Sequence, residues 1–304
     1  MDRRTFLRRS AAAGVALTGV AGLLGSAGCS SAPPTCGLGC AGDTASLESA
    51  IGHRLKYERI YHRTEPFPDA QEQAAWAARR IPVTSFKTLQ DDGSAIPFAE
   101  VAAGADDDHL RALAAAIRPF GRRPWILIYF AEPEDDVGES PEDFAPAFRR
   151  VRDVMGDLGP GITWAHNVSH GTYDDGDGEL YYPGDDYVDY IACDGYNWCP
   201  GSGHGTEKET FERLFAVTNQ FAERKGKPWL ATEVGTWDDP TPGWSKAEWI
   251  EQMGRTAKAW ARLKGIMWFE HDSDESTLCD WKIQDRADAI EAFAALARDP
   301  YFGG

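Results

Sequence analysis

The feature that most constrains this 304-residue chain is an alternation of short apolar runs with longer segments of helical period, which begins near Leu55. The short runs are rich in β-branched and aromatic residues, as is typical of buried strands. The longer segments open with helix-start residues such as Ser140 and Pro141. Because strands alternate with helices, the pattern predicts a parallel sheet with helical crossovers, an α/β fold.

The predicted strands are 56–62, 81–87, 124–130, 162–167, 188–196, 228–233 and 265–269, with a short eighth strand near 35–38. The segment 168–186, rich in Gly, Asp and Tyr, predicts one long irregular connection. Eight strands can close into a barrel or form an open doubly wound sheet. We expect no phosphate-binding glycine loop after the first strand, neither the Gly-x-Gly-x-x-Gly nor the Gly-x4-Gly-Lys-Ser/Thr kind that open nucleotide-binding sheets carry. We therefore predict a single-domain (β/α)8 TIM barrel.

The N-terminus predicts export. Paired arginines at 3 and 4 precede an uncharged run rich in Ala and Gly at 11–24, which is typical of a twin-arginine-like signal peptide. The run is too short to span a bilayer comfortably. We assign 1–30 to the signal, 31–44 to a tether and 45–304 to the barrel, with the first strand possible from 35.

Cys29 follows a degenerate lipobox that ends Ser26-Ala27-Gly28. Two outcomes stay open at this point: a lipid on Cys29 that anchors the protein to the outer face of the membrane, or cleavage near Ala27 and free secretion. Lipidation would be the chain's only attachment to a membrane.

Charge and aromatic content narrow the class of ligand. The net charge of −17 argues against nucleic acid, which requires clustered Lys and Arg. Eleven tryptophans suit stacking on sugar rings, although aromatic residues also fill large cores. The composition favours an uncharged substrate such as a polysaccharide. No cofactor or metal is expected, and we expect a monomer.

An oxidising compartment would let some cysteines pair. Five follow Cys29, so they cannot all pair with one another. We expect Cys36 to pair with Cys40 and Cys199 with Cys279, which leaves Cys193 buried in a strand. A zinc site is disfavoured because the sequence has no Cys-x2-Cys pair accompanied by a second cysteine cluster.

The residues at the carboxyl ends of barrel strands are the candidates for chemistry. Two acids occupy such positions, Glu132 after the fourth strand and Glu233 at the end of the seventh. Two facing carboxyl groups are what glycoside hydrolysis requires, although either acid could simply face solvent. The other strand-end candidates are His62, Lys87, Asn167, Tyr196, Trp198 and Trp268.

Four segments around these acids, 128–134, 140–153, 181–197 and 227–235, resemble glycoside hydrolase family 26, the β-mannanase family of a retaining barrel clan. The resemblance covers about 55–281 in the same order of segments. It implies a retaining, double-displacement mechanism on a β-linked polysaccharide. Glu132 would be the acid/base and Glu233 the nucleophile.

The resemblance also implies roles for two aromatic residues. Tyr196 would hydrogen-bond the nucleophile, and Trp268 would form the platform beneath the sugar at the cleavage point. His62, Lys87 and Asn167 are weaker candidates for substrate binding. Trp198, Trp237 and Trp244 would offer further sugar subsites on loops over the mouth.

Ala131 is a departure from the family, which normally carries a His before the acid/base. A hydrogen bond to the sugar 2-hydroxyl that tightens in the transition state contributes several kcal/mol, so its loss could lower activity or redirect it. The expected substrate is β-mannan or, failing that, a β-glucan or β-xylan. A catalytically degenerate, glycan-binding barrel at the cell surface remains the alternative.

Overall fold

The computed structural model describes residues 36–63, 66–90, 92–135, 140–204, 208–272 and 278–303. Eight parallel strands close into a barrel in chain order, so the predicted (β/α)8 fold is confirmed. The strands are β1 Gly37–Gly42, β2 Tyr57–Tyr61, β3 Ile81–Phe86, β4 Trp125–Tyr129, β5 Ile162–Ser169, β6 Tyr190–Asn197, β7 Trp229–Thr236 and β8 Leu263–Glu270.

Ten α-helices lie between or after these strands in the described part of the chain. They are α1 Thr44–Ile51, α2 Ala70–Ala77, α3 Phe98–Ala103, α4 Asp107–Ile117, α5 Pro141–Met155, α6 His170–Asp174, α7 Gly178–Tyr181, α8 Phe211–Lys225, α9 Lys246–Ala259 and α10 Ala287–Arg298. Short 3₁₀ turns follow at Arg118–Phe120, Pro133–Asp135 and Asp185–Tyr187. None of the described helices has the length and apolar character needed to cross a membrane.

The barrel interior is filled by one layer of apolar side chains from seven strands. Its members are Tyr57, Val83, Ile126, Ile128, Ala165, Ala192, Leu230 and Met267. β1 contributes glycine instead: a Cβ on Gly39 would lie 2.6 Å from Met267 Cγ and 2.7 Å from Tyr57 Cβ. The large side chains on either side therefore fill the space opposite β1, which makes the barrel a packed core.

The first strand lies inside the segment assigned to the tether. β1 occupies Gly37–Gly42, so the barrel domain starts well before residue 45. Its sequence also spells Gly-x-Gly-x-x-Gly, but the glycines lie within a strand and not on a strand-to-helix turn, so the phosphate-loop geometry is missing. The predicted signal, Cys29 and the start of the tether lie outside the described residues.

The connection 168–186 is more regular than predicted. It contains α6 and α7, whose residues Tyr173 and Tyr181 are buried in the main core. Tertiary packing of these rings explains why a Gly- and Asp-rich segment still forms helical turns.

The cysteine prediction is half confirmed. Cys199 and Cys279 form a disulfide, and Cys193 is buried and free. The Cys36–Cys40 pairing is wrong, because both are free, buried thiols on one extended segment. Four residues of strand span about 13 Å, roughly twice the Cα separation that a disulfide allows.

Candidate active site

Glu233 is brought into the barrel by an irregularity in β7. Along the β6–β7 pair, Cys193 is opposite Ala231 and the next partners are Asp194 and Glu233, so Thr232 is skipped. A bulge of this kind re-aims neighbouring side chains and is common beside active sites. Thr232 and Glu233 therefore both contact groups inside the barrel, although alternation alone would send them to opposite faces.

The Glu233 carboxylate is held by two tyrosines. Tyr61, at the end of β2, donates from its hydroxyl to Oε1 at 2.7 Å, and Tyr196, near the end of β6, donates to Oε2 at 2.5 Å. Burial, followed by the charge of Glu233, raises the pKa of both phenols well above their usual range. Both hydroxyls therefore remain protonated donors, and each oxygen of Glu233 has a fixed orientation.

A buried cation lies beneath this acid. Arg59 points inward from β2 and is 3 % exposed, with Nη2 3.8 Å from Oε1 of Glu233. Its guanidinium packs 4.3 Å from the centre of the Tyr61 ring and donates to the backbone carbonyl of Val83. Arg59 thus provides a positive charge for a site that holds three carboxyl groups, Glu132, Asp194 and Glu233.

Glu132 is positioned mainly through its backbone. Phe130 and Glu132 both adopt left-handed conformations, with φ of 55° and 50°, which turn the chain sharply after β4. The Glu132 N–H donates to Asn167 Oδ1 at 3.1 Å, and Asn167 Nδ2 donates to Thr232 Oγ1 at 2.8 Å. Asn167 on β5 therefore connects the turn that carries one acid to the strand that carries the other.

A second tether holds the same turn. Glu134 accepts hydrogen bonds from the Ser169 N–H and, at 2.8 Å, from the Thr172 hydroxyl at the start of α6. Its other oxygen is buried and has no partner among the described residues. The loop after β4 is thus fastened to β5 and α6 on both sides of Pro133.

The two acids differ in their electrostatic environment. Burial, followed by the charges of Asp194 and Glu233, raises the pKa of Glu132 to about 10. Asp194 is itself buried, and burial followed by the Glu233 charge raises its pKa well above the usual range. Glu132 is therefore protonated at neutral pH and can donate a proton, as a general acid must.

A cavity of about 610 Å³ opens over these groups at the carboxyl ends of the strands. It is lined by Glu132, Asp135, Ser169, His170, Gly171, Asp194, Tyr196, Trp198, His204, Phe269 and Trp281. One wall is aromatic, since Tyr196 and Trp198 each pack within 5.3 Å of Trp281. Polar groups on one side and flat rings on the other are suited to a sugar chain.

Three predicted site residues lie elsewhere. Trp268 is fully buried between β8 and the helices, where its indole N–H donates to the Trp281 carbonyl. His62 is 4 % exposed, pairs with Glu72 at 2.8 Å and stacks on Phe67.

The reason is the same for Trp268 and His62: side chains alternate along a strand, so their neighbours Phe269 and Tyr61 take the inward positions. Lys87 lines a separate cavity of about 160 Å³ and lies 4.2 Å from the centre of the Phe130 ring. Trp268, His62 and Lys87 are therefore not among the residues that line the cleft with Glu132.

The other predictions describe positions that the structure brings together. Tyr196 and Trp198 line the cleft, Tyr196 contacts Glu233, and Trp237 lines a neighbouring cavity with Trp198. Asn167 is fully buried and contacts protein groups, so it supports the site and does not face the cleft.

Sequence reasoning missed Arg59, Tyr61, Asp194 and Phe269. An available signal was the strand 57–61, where alternation places Arg59 on the same face as Tyr57 and Tyr61. A charged residue on the inward face of a strand must have a buried partner, which points to carboxylates inside the barrel.

Solved structures with this fold include several carbohydrate-active enzymes. The GH26 β-mannanase BoMan26A from Bacteroides ovatus matches with a TM-score of 0.65 and 14% identity, over 88% of this chain and 90% of its own. A modular endo-β-1,4-mannanase from Cellulomonas fimi matches with a TM-score of 0.60 and 18% identity, over 88% and 71%. The chain is similar in fold to family 26 β-mannanases. A fungal β-1,4-galactanase shares the fold as well, with a TM-score of 0.62 and 12% identity over 86% of this chain and 99% of its own.

In sequence, the chain is 28% identical over 173 residues to Endoglucanase H from Acetivibrio thermocellus. The match covers 56% of this chain but spans only 18% of the length of that relative. No protein-family model matches the chain. The resemblance expected from the motifs around Glu132 and Glu233 is thus supported by fold and by a partial sequence match.

Proposed function

We propose that this protein is a retaining endo-β-glycanase in which Glu233 is the nucleophile and Glu132 the acid/base. The observation that carries the proposal is the contrast between the two acids: Glu233 accepts two phenolic hydrogen bonds beside a guanidinium, while burial and neighbouring carboxyl groups raise the pKa of Glu132 to about 10. A pair of carboxyl groups kept in different protonation states is the arrangement that glycoside hydrolysis uses.

In the first step, Glu233 attacks the anomeric carbon and the bond to the leaving oxygen breaks. Glu132 gives its proton to that oxygen, and a glycosyl ester forms on Glu233. Tyr61 and Tyr196 keep the attacking oxygens oriented. The loss of negative charge on Glu233 also weakens the electrostatic effect that raises the pKa of Glu132, which favours the transfer.

In the second step, Glu132 is ionised and removes a proton from water as the water attacks the same carbon. The ester to Glu233 breaks, the sugar is released with its original β configuration, and Glu132 is protonated again. The chain's own residues thus supply the nucleophile, the acid and the base, and no further reactant than water is needed.

The substrate class we propose is a neutral β-linked polysaccharide. The mannanases that share the fold act on β-mannan, and the partial sequence relative is named as an endoglucanase, which favours testing β-glucan alongside mannan and xylan. Ala131 stands before the acid/base and offers no side-chain donor to a sugar hydroxyl. Its methyl group is partly buried against the inner apolar layer.

We also propose that the protein is exported, through the twin-arginine-like segment, and is either secreted or anchored by a lipid on Cys29. The Cys199–Cys279 disulfide supports this location, because such bonds persist in oxidising compartments. We propose that it acts as a monomer.

A second candidate is a barrel that binds β-glycans without cutting them, which Ala131 favours. Incubation with mannan, lichenan and xylan distinguishes the glycanase from the binding barrel. The measurement is the release of reducing ends. The glycanase proposal predicts release from at least one polysaccharide by the wild type and a loss of several powers of ten in Glu233→Gln. Binding without any release, or a Glu233→Gln variant that retains more than about a tenth of the activity, would favour the second candidate.

A further inference from the structure

The end of the barrel opposite the cleft carries a band of cations. The segments that lead into β2, β3, β4 and β8, residues 52–56, 78–80, 118–124 and 260–262, contain no aspartate or glutamate. Acidic residues outnumber basic ones by 48 to 31 in the whole chain, so four such segments at one end are a local reversal of charge. Six of their cations form what we call the basic arc: Arg54, Lys56, Arg79, Arg122, Arg123 and Arg262.

The cations of the basic arc differ from most others in having no acidic partner. Among the described residues, none of the six forms an ion pair. Cations on the outer helices do: Arg111 contacts Asp107 at 2.8 Å, and Arg255 lies 3.8 Å from Glu251. Arg80 is paired with glutamates on α1 and β2 and is therefore not counted in the arc. The arc presents uncompensated positive charge on a protein whose net charge is −17.

The basic arc surrounds the point at which the polypeptide enters the barrel. Lys56 lies directly against the start of β1, since a Cβ on Gly37 would be 2.3 Å from Lys56 Cδ. Arg54 Nη1 donates to the Arg79 carbonyl at 2.6 Å, which joins the loops before β2 and β3. Arg262 precedes β8, the other neighbour of β1. The chain that leads into β1 therefore joins the barrel between cations of the arc.

We propose that the basic arc is a docking surface for the anionic headgroups of a phospholipid bilayer, with the cleft directed away from the membrane. The inference rests on the proposed lipid on Cys29 and does not depend on the glycanase activity. Cys36, the first described residue, follows Cys29 by seven positions, and that length of chain reaches at most about 25 Å. A lipid held in the membrane would thus keep this end of the barrel at the bilayer surface.

The negative charge of the remaining protein does not cancel the attraction. β8 has eight residues and spans about 26 Å, which separates the arc from the carboxyl groups at the mouth. At about 0.1 M salt the Debye length is about 10 Å, so those distant charges are largely screened from the bilayer. At the near end, the acids lie in the segments before β5 and β6, across the barrel from β1: Asp157, Asp185, Asp186 and Asp189.

The test measures binding to vesicles by flotation at about 0.1 M salt. It uses the processed chain, residues 31–304, which contains all eight strands and lacks Cys29, so no lipid of its own can anchor it. One set of vesicles is phosphatidylcholine alone, and the other contains about 30 % phosphatidylglycerol. We expect binding to the anionic vesicles and little to the neutral ones. The bound protein should be released at about 0.5 M salt, because screening then shortens the reach of the charges.

Neutralisation of three arc residues should remove this binding. The test variant combines Arg79→Gln, Arg122→Gln and Arg262→Gln, and its partition onto anionic vesicles should fall about a hundredfold, at about fivefold for each charge. Thermal unfolding checks that the variant is folded, and the salt dependence of the parent tests the surface independently. A matched control makes the same change of net charge at cations that are paired with acids, and it should bind within about twofold of the parent: Arg111→Gln, Arg255→Gln and Arg286→Gln.

Several results would overturn the docking surface: no binding to the anionic vesicles, equal binding to the neutral ones, or an equal loss in the test variant and the control. Binding to a DNA duplex without binding to anionic vesicles would overturn it as well. Failure of the proposed function is seen separately, because reducing-end release is measured on soluble polysaccharide without vesicles. The test variant should release reducing ends at the parent rate, and a parent that binds vesicles but releases none would contradict the glycanase alone.

Discussion

Glu132 lines the cleft just after β4, and Glu233 in β7 contacts Tyr196 of the cleft wall, but the structure holds the two acids in opposite ways. On β7, a bulge directs Glu233 inward, and two phenols and a guanidinium fix its carboxylate. On β4, the chain turns through left-handed residues, and the hydrogen bonds go to the backbone of Glu132. The Glu132 carboxyl group has no hydrogen-bond partner among the described residues.

This difference follows from what each acid would have to do. A nucleophile attacks one carbon and benefits from a carboxylate that cannot rotate. An acid/base must give up a proton and later take one from water, so its carboxyl group needs freedom and a raised pKa, while its position is set by the main chain. The asymmetry in support is thus a structural argument for the assignment of roles.

The largest effect should separate the two acids. Glu233→Ala should abolish turnover of every glycoside, by about four powers of ten or more, because no nucleophile remains. Glu132→Ala should lose far less activity on aryl glycosides, whose leaving group needs no proton. Azide should restore turnover of this variant, because the azide ion attacks the glycosyl intermediate without help from a base. Steady-state kinetics on matched polysaccharide and aryl substrates measure both. If Glu132→Ala lost equal activity on the polysaccharide and the aryl glycoside, Glu132 would not be the acid/base.

The next effect concerns the support of Glu233. Tyr61→Phe and Tyr196→Phe each remove one hydrogen bond to a charged group, worth about 1.5–3 kcal/mol, so kcat should fall roughly tenfold to a hundredfold in each. Tyr190→Phe, at the start of β6, serves as a control. Wild-type rates in both test variants would show that the phenols do not orient the nucleophile.

A smaller effect, on pH dependence, concerns Glu132. Since the acid must be protonated, kcat/KM should fall as pH rises through the pKa of Glu132, which lies near 10. Burial is the main cause and the Asp194 charge the next, so Asp194→Asn should lower that pKa and move the alkaline limb to lower pH. A pH–rate profile of both proteins measures the shift. A limb that stays in place or moves to higher pH would contradict the assignment.

The smallest effect should come from the loop after β4. Glu134→Ala leaves the Ser169 N–H and the Thr172 hydroxyl without their acceptor, which should cost about 1–3 kcal/mol of stability. We expect a modest fall in kcat with KM nearly unchanged, and no change in the effect of Tyr196→Phe. Urea unfolding with kinetics on the double variant measures both quantities, and strong coupling to Tyr196 would show that the two strand ends are not independent.

The sequence predicted the fold, the places of Glu132 and Glu233 relative to β4 and β7, and one disulfide, because each depends on local pattern. The alternation of strands and helices indicates the barrel, and a glutamate after an apolar run indicates a position at its mouth. It did not predict which side of a strand faces the cleft. Trp268 and Phe269 are adjacent in the chain, and a shift of one residue exchanges them between the helix layer and the cavity.

The sequence also did not predict the contacts between strands that are distant along the chain. The bulge at Thr232 and the ion pair of Arg59 with Glu233 depend on the register of β2, β6 and β7, to which no local motif points. The Cys36–Cys40 pairing failed for a simpler reason, since the segment is a strand and extension keeps the two thiols apart. Closeness in sequence indicated the wrong pair, and the correct one joins loops 80 residues apart.

As the proposed nucleophile, Glu233 forms a covalent bond to the substrate. The most direct measurement is incubation with a 2-deoxy-2-fluoro β-glycoside that carries a good leaving group, followed by mass spectrometry of the proteolysed protein. We expect one fluoroglycosyl group per chain, on the peptide that contains Glu233, and loss of activity at the same rate. A label on another carboxylate, or turnover of the reagent with inverted configuration and no adduct, would contradict it.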